Sequence, residues 1–299
     1  MTVLAARSAA NGALFGAVLT ILYTGLIAGA DAITKLIAGG YAAPQLYAFS
    51  GLIVIGLSLL ADRHKTQRRG LCTSCPWAMA LRSGATVVAA LAFFHAFRLL
   101  PFAEVFLFIG LMPVLAGIMS GPVLGEYVRP AAMVALAAGF GGVAFLFPDG
   151  IASVSVGHAW AALAAVSGTF SMVLARYIGR FEVNALAQVF YPNLALCGTM
   201  ALALPFVWQP MPAADFIWVA GYAALLFAAR WVLVEALRRL AAYAVTPLMN
   251  LQFVWMAVID AIGFGEFPGP ATFIGVGVIM LSGAYLVWDQ FASKSAQMG

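Results

Sequence analysis

Charged side chains occur inside several long apolar stretches of this chain. Asp31 and Lys35 are four residues apart in one stretch, and Arg230 lies in another. An ionisable group inside a membrane is costly unless it faces a cavity or a partner. Residues four apart share a helix face, so Asp31 and Lys35 can pair. The pair is equally consistent with a structural ion pair near the membrane surface and with a coupling or gating role in transport.

Arg82 and Arg230 are the candidate ligands for an acidic group of a substrate. A guanidinium fork binds a carboxylate through two parallel hydrogen bonds. Arg230 is the predicted carboxylate ligand, and its alternative is pairing with a carboxylate of the protein. Arg82 lies near the end of its apolar stretch. We therefore expect its side chain to extend to the nearer membrane surface.

His95 and Glu235 form a candidate pair for proton coupling or gating. They are separated by the offset of an internal repeat that is described below. A histidine titrates near physiological pH, and protons are therefore a candidate coupling ion. The alternative, favoured for either residue alone, is that each anchors a helix end at the membrane interface.

Aromatic and amide side chains complete the candidates for a binding pocket. Rings can line an apolar pocket for ring-bearing or aliphatic substrates. Most aromatic residues of a membrane protein instead face lipid or the interface. The aromatic set also includes Phe93, Phe97 and Trp255, and the candidate binding residues are Phe94, Trp160, Tyr191, Trp231, Asn250 and Gln252.

The composition is that of a membrane protein. The chain has 299 residues, of which 64% are hydrophobic and 9% charged, and its mean hydropathy is +1.00. Soluble domains carry about 25% charged residues. A helix of about 20 apolar residues crosses a bilayer. We predict an all-α integral membrane protein with ten transmembrane helices, at 12–37, 43–61, 76–97, 102–124, 130–148, 158–178, 184–206, 215–237, 243–264 and 270–288.

The basic residues predict the orientation. The densest basic cluster is the loop at 62–69, after the second predicted helix. Cytoplasmic loops of membrane proteins are enriched in Lys and Arg, which places this loop and both termini in the cytoplasm. The net charge of +4 is not gathered on a polar face. A nucleic-acid partner is therefore not expected.

An internal repeat divides the chain. The pattern A-x-R-x-L at 96–100 recurs at 236–240, and Gly125-Glu126 recurs as Gly265-Glu266 with the same offset. The predicted halves are 1–148 and 158–299, joined by a loop at 149–157. Five helices in each half give the second copy the opposite orientation, an inverted-topology repeat. The two Gly-Glu pairs are interpreted as structural: a glycine ends a helix, and a carboxylate follows near the next helix start.

These features resemble the drug/metabolite transporter superfamily, EamA type, over nearly the whole chain. The residues that carry the resemblance are Arg98, Pro113, Gly125-Glu126, Arg238 and Gly265-Glu266. The second half departs from the pattern, because Phe253 aligns with Pro113 and the proline, Pro247, comes six residues earlier. The aromatic content is similar to that of the aromatic amino-acid exporter branch. The resemblance implies export of small metabolites, aromatic or other neutral amino acids foremost, from a bacterial cytoplasm across the inner membrane.

Several other chemistries lack their sequence signatures. The chain contains no G-x-x-x-x-G-K-[ST], H-E-x-x-H or G-x-S-x-G pattern, so neither ATP hydrolysis nor these enzyme classes are expected. Three cysteines do not form a four-ligand zinc site, and we expect no metal and no cofactor. The hypothesis is a secondary transporter with a small-molecule substrate and a site between the halves. A transporter of another metabolite or drug, a channel and a membrane enzyme remain the alternatives.

Overall fold

The computed structural model describes residues 2–63, 70–100, 102–125, 155–240 and 251–259, and isolated positions between 134 and 285. Over these ranges the chain is helical, with no strand. Eight helices lie in the described part of the chain: α1 (Thr2–Ala38), α2 (Ala43–Arg63), α3 (Pro76–Leu99), α4 (Phe102–Leu124), α5 (Val156–Ile178), α6 (Ala185–Val207), α7 (Ala213–Arg239) and α8 (Leu251–Ile259).

In the described part of the chain, six helices are long and apolar enough to cross a membrane: Leu14–Ala38 of α1, and the whole of α2, α3, α5, α6 and α7. The chain is therefore a multi-pass membrane protein, helical throughout the described ranges. Helix α1 begins at Thr2, earlier than predicted. Apart from isolated positions, the predicted helices at 130–148 and 270–288, and most of the loop at 149–157, lie outside the described residues. The number ten therefore stays a prediction.

One end of the bundle gathers the connections after α2, α4, α5 and α7. The Glu182 carboxylate accepts hydrogen bonds from the Thr73 hydroxyl (2.9 Å) and the Ser74 backbone N–H (2.7 Å). Arg180, just after α5, donates to the carbonyl oxygen of Leu124, at the end of α4. Arg176 donates to the carbonyl of Leu237 near the end of α7. We call this end the basic end.

The opposite end joins the α1–α2 turn to the α6–α7 loop. The Tyr41 hydroxyl donates to the Asp215 carboxylate over 2.6 Å. The Gln45 side chain makes two hydrogen bonds to the backbone of Gln209, of 2.7 and 3.1 Å. Consecutive long helices thus alternate in direction between the two ends.

The helices pack in pairs that are distant in sequence. Helix α1 packs along α7, α3 along α5, and α2 along α6, while α4 packs on α5 and α8 on α1. A Cβ built at Gly51 of α2 would lie 2.9 Å from the Cβ of Cys197 on α6, so glycine permits that approach. Lipid provides no hydrophobic drive between helices, and small residues supply contact instead. These pairs enclose a central space.

Candidate functional site

A cavity of about 190 Å³ lies in the middle of the bundle. Its lining residues recur every three or four positions along α1, α3, α5 and α7, so each of these helices turns one face to the cavity. Shorter contributions come from α2, α4, α8 and Met249. The polar lining side chains are Tyr23, Asp31, Thr34, Tyr47, Arg82, Thr86, Ser171, Tyr222, Arg230 and Gln252.

Asp31 and Gln252 meet in the cavity wall. The Gln252 amide donates a hydrogen bond of 2.5 Å to the Asp31 carboxylate. Gln252 is 4% exposed, and Asp31 is half-buried. Lys35, the predicted ion-pair partner of Asp31, does not line the cavity, and the hydrogen-bond partner that the structure gives to Asp31 is Gln252. An amide of a distant segment thus reaches the Asp31 carboxylate, and the coupling or gating role of Asp31 and Lys35 stays a prediction.

Arg230 faces the same cavity from α7. Its side chain lies among the rings of Tyr23, Tyr47 and Tyr222. Among the described residues, no hydrogen bond or ion pair satisfies its guanidinium. A guanidinium carries five N–H donors, so Arg230 can offer several of them to a molecule in the cavity. Arg230 thus lines the cavity, and its role as a carboxylate ligand stays a prediction.

Arg82 is a second cavity arginine, which sequence reasoning assigned to the membrane surface. That expectation was wrong: its side chain is 6% exposed and lines the cavity from α3. It donates a hydrogen bond of 2.5 Å to the Gln188 side chain of α6. Helix α6 packs against α3 and brings the Gln188 side chain to Arg82, whose guanidinium is thereby held inside the bundle.

Only part of the predicted aromatic set lines the cavity: Phe93 and Phe97 do, and the rings chosen as binding candidates do not. Phe94, Trp160, Tyr191 and Trp231 do not line the cavity. Phe94 is 1% exposed and packs edge-on against Tyr47, with ring centroids 6.0 Å apart. Trp231 is 37% exposed and contacts Phe227. Tyr191 packs in a separate cluster near the basic end.

Phe93 and Phe97 supply the aromatic wall. Their rings stack with centroids 5.8 Å apart and lie in the cavity lining. They are four residues apart and share one face of α3. Phe94 is rotated by about 100° from that face, since an α-helix has 3.6 residues per turn. Arg82, Thr86, Phe93 and Phe97 follow one another at intervals of four, seven and four residues, and this helix-face spacing was the signal that could have found the lining.

His95 and Glu235 lie outside the cavity lining. The His95 ring stacks on Trp160, with centroids 4.9 Å apart. The Glu235 carboxylate accepts from Arg238 (2.8 Å) and Arg239 (2.6 Å) at the basic end of α7. The two residues are therefore not brought together, and neither faces the central space. This arrangement fits the interpretation of anchors near helix ends better than a shared proton path.

The Gly-Glu motifs and one amide fall largely beyond the described residues. Glu126, Asn250, Gly265 and Glu266 lie outside them. Gly125 follows α4 with φ of 63°, a left-handed conformation that glycine adopts without strain. Its N–H donates to the carbonyl of Gly121 over 2.9 Å. Among the described residues no group of three or more His, Cys, Asp or Glu side chains could hold a metal ion.

The fold has known counterparts among solved structures. The chain matches no family model, and no curated protein matches it. It is similar to a protein of known crystal structure with a TM-score of 0.73 and 21% sequence identity, over 92% of this chain and 96% of the other. At that identity the likeness establishes the fold over nearly the full length of both chains.

Proposed function

We propose that this protein is a secondary transporter that moves small metabolites, amino acids foremost, by alternating access at the central cavity. The observation that supports this proposal most directly is the cavity, which is lined by both Arg230 of α7 and Asp31 of α1. An α-amino acid carries both a carboxylate and an ammonium group. Arg230 supplies donors for the carboxylate. Asp31 supplies the opposite charge, for the ammonium group or for a coupling proton.

The rest of the lining suits the side chain of such a substrate. Phe93, Phe97, Ile109, Met112 and Leu226 form an apolar wall. Binding sites for small molecules are mostly apolar, with a few polar groups that fix orientation. Aromatic or other uncharged side chains therefore find contact here.

The packing of the helices supports two related halves. If α1 corresponds to α5, α2 to α6, α3 to α7 and α4 to α8, exchanging the halves turns the α1–α7 pair into the α5–α3 pair. The α2–α6 pair turns into itself, and the α4–α5 pair turns into the α8–α1 pair. Inverted repeats that rock about a midplane site are a common basis of alternating access. A carrier of this kind is not an enzyme and needs no ATP.

Membership of the drug/metabolite transporter superfamily and location in a bacterial inner membrane belong to the same proposal. The basic end holds Arg176, Arg180, Arg238 and Arg239. By the enrichment of Lys and Arg on cytoplasmic faces, this end is cytoplasmic. Export as the direction rests on the resemblance in sequence.

Counterflow in proteoliposomes tests the proposal. Vesicles loaded with unlabelled phenylalanine and given labelled phenylalanine outside should accumulate label above empty liposomes. Excess unlabelled aromatic amino acid should block accumulation, and lysine should not. A channel gives no counterflow, so its absence with folded protein, for phenylalanine and for a panel of other amino acids, would overturn the amino-acid carrier.

A further inference from the structure

Arg82 is a buried cation that the protein does not neutralise. In the described structure its guanidinium donates one hydrogen bond, of 2.5 Å, to the Gln188 side-chain oxygen. Its Nε and the Gln188 Nε2 are both buried without a hydrogen-bond partner. A neutral amide balances no charge. Burying a charge without a counter-charge is costly, which makes a purely structural role for Arg82 a poor account of the site.

The nearby acidic group of the protein is already engaged. Glu182 lies close enough to attract Arg82 electrostatically. Its Oε2 accepts hydrogen bonds from the Thr73 hydroxyl and from the backbone and hydroxyl of Ser74. No ion pair joins Glu182 to Arg82 in the described structure, and the second Glu182 oxygen is buried without a partner. Arg82 instead forms part of the cavity lining.

A polar strip extends from Arg82 along the cavity wall. Thr86 is four residues further along α3, and its hydroxyl lies 2.8 Å from the hydroxyl of Ser171 on α5. Both hydroxyls belong to the cavity lining, as does Arg230, which repels Arg82 electrostatically. The described lining therefore holds two guanidinium groups and one carboxylate, that of Asp31. The basic groups of this lining thus outnumber the acidic one.

We infer that the cavity binds substrates with two acidic groups, one held by Arg230 and the other by Arg82 with the Thr86 and Ser171 hydroxyls beside it. An acidic amino acid fits this set, because its two carboxylates face the two arginines and its ammonium group faces Asp31. A short dicarboxylate satisfies the arginines alone. The inference rests on the proposed function and narrows its substrate class. A neutral amino acid has a single carboxylate, which Arg230 would bind, so the positive charge of Arg82 would have no counter-charge.

The test compares L-glutamate, glutarate and L-phenylalanine on purified protein and in proteoliposomes. Arg82→Gln should weaken glutamate and glutarate binding by about tenfold or more, the loss of a hydrogen-bonded charge contact. Its phenylalanine binding should change little. Arg230→Gln should weaken all three. Arg98→Gln removes an exposed arginine of the same helix and should change none.

Gln188→Glu separates binding from folding. The new carboxylate would lie where the Gln188 oxygen now accepts from Arg82, and it would neutralise the guanidinium within the protein. We expect unchanged or higher thermal stability together with a tenfold or greater loss of glutamate and glutarate binding. A variant that folds at least as well as wild type cannot owe this loss to misfolding.

The outcomes distinguish the inference from the proposed function. If glutamate and glutarate bind in a way that depends on Arg82, but none of the three ligands shows counterflow, the inference is supported and the transporter proposal is overturned. Phenylalanine counterflow with no binding of glutamate or glutarate supports the transporter and overturns the inference. Equal losses for glutamate and phenylalanine in Arg82→Gln, or unchanged glutamate binding in Gln188→Glu, also overturn the inference.

Discussion

The Gln252 side chain of α8 donates a 2.5 Å hydrogen bond to the carboxylate of Asp31 on α1. This bond joins two residues that are 221 positions apart in the sequence. Both residues line the central cavity. Trp255, also on α8, donates to the Thr24 hydroxyl over 3.1 Å and fixes α8 against α1 at a second point. The wall of the cavity is thus formed jointly by α1 and α8, two helices that are distant in the sequence.

Replacing Gln252 should show how strongly its amide and the Asp31 carboxylate stabilise the protein together. Gln252→Leu should lower the free energy of unfolding by about 1.5–3 kcal/mol, the usual contribution of a hydrogen bond to a charged group. A double-mutant cycle with Asp31→Leu, measured by thermal unfolding in detergent, separates the pair from other effects. The double variant should lose less stability than the sum of the single variants. Strictly additive losses would show that the two side chains are not coupled.

Arg230→Gln should abolish amino-acid counterflow with little effect on stability. The described structure satisfies its guanidinium with no hydrogen bond, so the fold loses little when it is removed. A substrate carboxylate loses a charged contact, and its affinity should fall about tenfold or more. Arg98→Gln, at an exposed position, is the matched control. Unchanged transport in Arg230→Gln would exclude it as the carboxylate ligand.

Two adjacent phenylalanines should respond differently to truncation. Phe94→Ala removes a ring that is 1% exposed and should cost about 3–5 kcal/mol of stability. Phe93→Ala removes a cavity-lining ring, so it should cost less and should change the affinity for substrates of different size. Thermal unfolding and competition for counterflow measure the two effects. The reverse ranking of stability would contradict the assignment of faces on α3.

Two glycines of α2 provide a matched test of helix contact. A Cβ at Gly51 would meet the Cβ of Cys197 at 2.9 Å, whereas a Cβ at Gly56 would meet nothing within 4 Å. Gly51→Ala should therefore destabilise the protein by about 1–3 kcal/mol through overpacking. Gly56→Ala should be neutral or stabilising by up to about 1 kcal/mol, because alanine favours helix. Similar melting temperatures for both variants would contradict the close α2–α6 packing.

The link between Tyr41 and Asp215 should make stability depend on alkaline pH. The hydrogen bond to the Asp215 carboxylate raises the pKa of the Tyr41 hydroxyl above its ordinary value. Since the folded pKa is raised, the stabilisation is complete below the unfolded pKa of about 10 and is lost as pH rises through the folded pKa.

The stability difference between wild type and Tyr41→Phe checks this dependence. Melting temperatures should favour wild type by a constant amount up to about pH 10. The difference should then shrink at higher pH, as the phenol ionises and the hydrogen bond is lost. A difference that persists unchanged well above pH 10 would mean that the Tyr41 hydroxyl does not contribute through this bond.

Helix positions followed closely from the sequence. The predicted segment 43–61 is observed as Ala43–Arg63, and 76–97 as Pro76–Leu99. Such boundaries depend on local properties: the length of an apolar run, a proline at a helix start and polar residues in loops. The binding side chains were less predictable. Asp31, Arg230 and Gln252 line the cavity as candidates, but Arg82 was assigned to the surface and Phe94 was chosen in place of Phe93.

Composition and apolar run length alone determined that this is a helical membrane protein, because each helix must satisfy its own backbone in lipid. They also identified the polar residues within the apolar runs, which are costly in a membrane and are therefore candidates for a function. The tertiary structure decided which of these residues share a cavity, since a rotation of about 100° per residue separates lining from packing faces. It alone joined Asp31 to Gln252 and buried Arg82 beside Gln188, contacts between helices that no local pattern encodes.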